Sequence, residues 1–217
     1  MKNGLVLFFG AFAALALSTG AVLFAAHNQL ASLKQYKDPI EETLHPAPLP
    51  GLADRGRMVY QDLGCASCHT QQVRREGVGG DIVRQWGVRQ SVARDYIREK
   101  SVHLGHLRLG PDLRNVGARP YADEEYFYKL LYAPESVAPG TNMPSYAFLF
   151  EVRPVRPGQA SPHALKLTGK HAAPAGHEIV PSYRARELVA YLRSLNDAYE
   201  YPEAKPYVPA TKTEGGH

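Results

Sequence analysis

A chain of 217 residues holds one ordinary domain with an appendage and leaves little room for two full domains. Its 25 Lys and Arg against 21 Asp and Glu give a formal charge of +4 and a pI near 9.0. The opposite charges are interleaved, so there is no polycationic stripe, and nucleic acid is excluded as a partner class.

Residues 4–26 read GLVLFFGAFAALALSTGAVLFAA, an uncharged run long enough to cross a hydrocarbon core of about 30 Å as a helix. The run exceeds the roughly 7–15 apolar residues of a signal peptide, and no A-x-A-like site follows it. Residues 1–30 are therefore expected to form an uncleaved transmembrane anchor with lipid as its partner. Flanking charge does not orient it, because Lys2 stands on one side and Lys34 and Lys37 on the other. Residues 31–51 are expected to be a spacer: polar residues to Lys37 that can extend the helix, then HPAPLPG from His45 to Gly51, which favours stiff extended backbone.

The folded domain is expected over residues 52–199. Asp54 is placed to cap a short helix containing Met58, Val59 and Leu63, and Gly64 to end it. The chain's two cysteines come next, in Cys65-Ala66-Ser67-Cys68-His69, the C-x-x-C-H attachment signature of c-type haem. Two sulfurs one turn apart reach both vinyl-derived carbons on one edge of the macrocycle, and the following histidine then lies under the iron. A thioredoxin-like pair would need a surrounding βαβ pattern, and a zinc site a second ligand pair; neither is found. Two cysteines are also too few for a disulfide framework.

Beyond the motif, Arg74, Arg75, Arg84, Arg89 and Arg94 offer planar forks for haem propionates or a partner's carboxylates; the alternative is an ordinary solvated face. A second helix is expected from near Asp123, with Phe127, Leu130 and Leu131 on one face, stopping before Pro134. A thioether is the usual partner opposite the haem histidine. Of three methionines, Met1 belongs to the anchor and Met58 lies too close to the cysteines, which leaves Met143 in the loop sequence PGTNMPSY. A histidine ligand stays open among His103, His106, His163, His171 and His177. Residues 152–181, rich in Pro, Gly, Ala and His, are expected to form a long surface loop. In RARELVAYLRSL, Leu188, Tyr191, Leu192 and Leu195 form the apolar stripe of a third helix. Residues 200–217 are a tail without a motif. No strand alternation appears, so the fold class expected is all-α.

Gly56 and Tyr60 ahead of the cysteines, C-x-x-C-H, the Met-Pro loop and a final helix with an aromatic together resemble the class I cytochrome c fold. HTQQVR, DIVRQWGVRQSVARDY, LRLGPDLRNVGAR and MPSYAFLF further resemble the monohaem subunit II of cbb3-type cytochrome c oxidases, over most of the chain. The resemblance implies one covalent haem c held by Cys65, Cys68, His69 and Met143, the last two as axial iron ligands. It implies an electron-relay subunit without a catalytic residue of its own. Its partners would be the catalytic subunit I with b-type haems, a dihaem cytochrome c subunit, and a soluble or anchored cytochrome c donor. It also implies a single-pass protein of the bacterial inner membrane with its haem domain in the periplasm, and allows a calcium ion at the junction with subunit I, near Ser91. The competing readings are a free-standing anchored cytochrome shuttle, the haem subunit of a nitric oxide reductase, a haem sensor or peroxidase with an open distal position, and an anchor with an inert cysteine pair.

Overall fold

The computed structural model describes residues 2–155 and 158–208. The chain divides into two compact units, one formed by the residues up to Pro46 with Ala93–Glu99, the other by Ala47–Val92 and the residues from Lys100 onward.

The first unit is dominated by helix α1, Lys2–Leu30. Its Asn3–Leu30 portion has a mean hydropathy of 2.2 over its most apolar window, so it is long and apolar enough to cross a membrane. Helix α1 stops at Leu30, and the expected spacer is not simply extended. Strands β1 (Tyr36–Lys37) and β2 (Leu44–His45) pair antiparallel. The Asp38 carboxylate closes the connecting turn by accepting from Ile40 N at 2.7 Å and Glu41 N at 2.9 Å, an Asx turn that polar residue counting does not reveal.

In the second unit, helix α2 (Gly51–Asp62) begins directly after Pro50. Asp54 does not cap it: it lies in the first turn, where its carboxylate accepts from Arg57 Nε at 3.2 Å. Pro50 instead holds an extended backbone that starts the helix without a side-chain cap. At the far end Gly64, with φ at +68°, takes the left-handed conformation expected of a C-terminal glycine. Helix α3 (Glu124–Tyr132) is capped by Asp123, which accepts from Tyr126 N at 2.7 Å. The short α4, Pro134–Val137, follows it. Helix α5 (Tyr183–Ser194) is capped by Ser182 and buries Ala185, Leu188, Val189, Tyr191 and Leu192 on the expected stripe.

Helices α2 and α5 cross tightly at Gly56, where a Cβ would overlap the Glu187 carbonyl. Tyr60 and Tyr191 meet edge to face beside this crossing, 5.4 Å apart, and both are buried. Phe127, Leu131, Leu188 and Leu192 complete a helical core.

The all-α expectation describes the core but omits a β addition. Strands β3 (Phe150–Pro154) and β4 (His177–Pro181) pair antiparallel from Phe150↔Pro181 to Pro154↔His177, so the expected 152–181 loop is an excursion closed at its base by a ladder. β3 buries only its first residue and β4 buries four in succession, so neither shows the alternation that marks a strand. Of the tail, residues 209–217 lie outside the described residues, as does Met1. Tyr201 is buried, and Tyr207 N donates to Val88 O at 2.9 Å.

Candidate haem-attachment site

Cys65–Ser67 form a single 3-10 turn immediately after Gly64. Cys68 N and His69 N both donate to Cys65 O, at 3.2 and 3.0 Å, so the five-residue motif is wound about one carbonyl. The cysteines are not joined to each other. Burial pushes the Cys65 thiol up to about 11, which keeps it protonated. A reactive thioredoxin-like cysteine would be lowered instead.

His69 is fixed by a segment far along the chain. Its Nδ1 is 2.9 Å from Pro111 O; with the carbonyl as acceptor, Nδ1 carries the hydrogen and Nε2 keeps its lone pair. Gly110 lies against the ring so closely that a Cβ would overlap the imidazole. Burial first, then the Arg119 charge, hold His69 below its ordinary pKa, so the ring is neutral at pH 7, as a metal ligand must be. Residues 110–113 are stitched to the motif by Gly110 N to Cys68 O at 3.0 Å and Leu113 N to Thr70 O at 2.8 Å. The fully buried Asp112 completes the seam, accepting from Thr70 Oγ1 at 2.6 Å and Gln72 N at 2.7 Å. A buried carboxylate requires such donors, and here they lock the two strands of the site together.

Met143 lies partly buried against the helical core that also receives Cys65, Ala66 and Tyr146, so the methionine loop and the cysteine turn share one apolar surface. Its backbone N donates to Thr141 Oγ1 at 3.2 Å. The histidine alternatives fall into two groups. The 103–110 segment runs along the motif backbone, with Gln71 N donating to Leu104 O and His106 N to Ala66 O. His103 is buried beside Tyr60, with ring centroids 5.5 Å apart. His163 and His177 are exposed on the β excursion, and His171 is partly exposed there.

The arginine stretch does not act as a set. Arg89 is buried, not available to a partner: its guanidinium lies over Tyr199 and Tyr201 and donates to Tyr199 O at 2.8 Å. Arg94 belongs to the first unit, where it donates to Lys34 O. Arg84 stacks on Trp86, 5.1 Å from the ring centroid. Two arginines outside that run stand at the site: Arg119 donates to Asp112 O and Arg108 to Gln72 O at 2.6 Å, and the buried Nε of each has no partner among the described residues. The only sequence signal of Arg119 is its place at the end of LRLGPDLRNVGAR. Ser91 Oγ accepts from Val73 N at 2.9 Å. Among the described residues no group of three or more His, Cys, Asp or Glu could hold a metal ion.

The haem fits these residues. Two thiols on one turn, a neutral imidazole presenting Nε2, a glycine that leaves room beside the ring and a buried guanidinium nitrogen without a partner among the described residues are compatible with a propionate-bearing haem. The class these features define is the monohaem cytochrome c. A family model for the mono-haem subunit of cytochrome c oxidase, FixO, matches residues 8–164, and the chain belongs to that family. Its subunits are those of cbb3-type oxidases. No curated relative matches the chain.

Proposed function

We propose that the chain is the electron-relay subunit of its oxidase, passing electrons to the b-type haems of catalytic subunit I from a cytochrome c donor or a dihaem cytochrome c subunit. When bound, the haem supplies a one-electron iron couple. Cys65 and Cys68 would tether it through thioethers, and His69 Nε2 would supply one iron ligand. Met143 Sδ would supply the second, presented by a loop that Pro139, Gly140 and Pro144 keep out of helix. Arg119 Nε would donate to a propionate, whose charge the guanidinium would offset. Two protein ligands of this kind would leave no open site for substrate and would suit electron transfer with little rearrangement. This separates a relay from a sensor or peroxidase.

The observation that carries the reading is the His69 imidazole, held neutral and oriented by Pro111 O inside a C-x-x-C-H turn of a chain in the mono-haem oxidase-subunit family. His103 and His106 are less suited as the second ligand, because their segment pairs with the backbone of the motif that carries His69. The calcium ion has no part in the proposal. Helix α1 anchors the chain in the bacterial inner membrane, with the haem-bearing unit in the periplasm.

The test is purification in mild detergent together with the Met143→Ala variant. Haem b co-migrating with the wild-type chain supports the relay. In the variant the reduction potential falls and the ferrous iron takes up carbon monoxide. An unchanged potential in the variant would remove Met143 from the iron, and absence of haem b would remove the oxidase partnership.

A further inference from the structure

The limb between strands β3 and β4 has no place in haem attachment, yet it packs onto the segment that leads to Met143. Leu165 is buried and donates its backbone N–H to Ile179 O at 2.8 Å, which fixes the start of the limb. Leu167 and Ala173 then pack on the same core as Met143 and Tyr146. Between them, Thr168, Gly169, Lys170 and His171 face Glu135, Ser136, Pro139 and Gly140 across a shallow cavity. Lys170 Nζ spans it to Glu135 Oε2 at 2.7 Å.

The methionine loop needs such support on that side. Its exit is tied to α3 by Tyr146 N to Leu131 O at 2.8 Å and Ser145 Oγ to Tyr132 O at 2.6 Å. Its entry, from Ala138 to Met143, is held among the described residues by short-range bonds, Ala138 N to Pro134 O at 2.8 Å, Thr141 N to Ala138 O and Met143 N to Thr141 Oγ1, with Gly140 in the left-handed region at φ +77°. Glycine at such a position lets the chain turn.

We propose that the Leu165–Ala173 limb is a brace that holds the entry of the methionine loop against α4 and so slows exchange of the sixth iron ligand. Lys170 and Glu135 are positioning residues in this scheme, and the inference rests on the reading that Met143 ligates the iron. Opening of the loop sets the fraction of iron open to an outside ligand, so loosening the brace raises that fraction directly.

The experiment uses the full chain and compares wild type, Lys170→Glu, and the swap Lys170→Glu with Glu135→Lys. Both side chains are more than half exposed, so the substitutions leave the fold intact, which unfolding curves of the three proteins verify. Charge reversal is expected to speed carbon monoxide uptake by the ferrous protein about two- to fivefold, the scale of an exposed pair turned to repulsion. It also weakens the near-infrared sulfur-to-iron band of the ferric form, and the swap restores both. A wild-type band with uptake unchanged by Lys170→Glu overturns the brace while leaving Met143 as ligand. A wild type with no such band overturns the ligation and the brace with it.

Discussion

Gly110 and His69 carry the most demanding contact of the site. A methyl group on residue 110 would fall on the imidazole, and the ring cannot retreat while Nδ1 holds Pro111 O. Gly110→Ala is therefore expected to tilt His69 and reduce the yield of haem-loaded protein at least severalfold, read as haem absorbance per mole of polypeptide; undiminished loading would dissociate the glycine from the site. The cysteines and His69 were legible in the sequence because their chemistry is local and covalent. Their supports were not, since Pro111 stands 42 positions from His69, and a backbone carbonyl leaves no residue-type signature. Arg119 carries no sequence signal of its own beside the more conspicuous arginine run from Arg74 to Arg94. His103 offers a second residue-scale prediction. Burial, then the nearby Arg57 charge, hold its imidazole below the ordinary 6.5. The unfolded chain takes up this proton near 6.5 and the folded chain only at lower pH, so folding stability falls as pH drops below 6.5 towards the folded pKa. Replacing His103 by Gln removes that contribution, and urea unfolding at pH 7 and pH 5 should show a smaller acid loss in the variant. Equal losses in the two proteins would contradict the assignment.

Among the elements, α2 and α5 decide whether the haem-bearing unit folds. Their closest approach is at Gly56, and the edge-to-face pair Tyr60 and Tyr191 is positioned by it. Gly56→Ala forces the helices apart, because the opposing atoms are backbone and cannot rotate aside. A loss of about 3 kcal/mol is expected from overpacking of this kind, measured by chemical denaturation. A variant within experimental error of wild type would mean that the crossing has slack. The helices were readable in outline: Asp123 caps α3 as its sequence suggests, and the apolar stripe of α5 falls where the spacing puts it. The β3–β4 ladder was not. Glu151, Val152, Arg153 and Pro154 face outward together, while Glu178 through Pro181 are buried together, so the two-residue period is lost on both strands. Asp54 misled for a related reason: it is a good capping residue three positions beyond a helix start that Pro50 determines.

At the scale of the whole chain, the proposed function turns on which side of the membrane holds the haem-bearing unit. Helix α1 carries no charge over its apolar run, and the lysines at its two ends do not decide the matter. The proposed thioether attachment at C-x-x-C-H implies the periplasmic side for the unit that carries Cys65 and Cys68, and that orientation is open to direct test. Protease added to intact spheroplasts is therefore expected to release haem-bearing fragments from this chain. In sealed inside-out vesicles the same protease should leave them whole. The exposed β excursion, with Glu151, Arg153 and Lys170 at its surface, offers cleavage sites on the folded unit. Release confined to inside-out vesicles would place the haem in the cytoplasm, and a relay fed from a periplasmic cytochrome donor would fail with it.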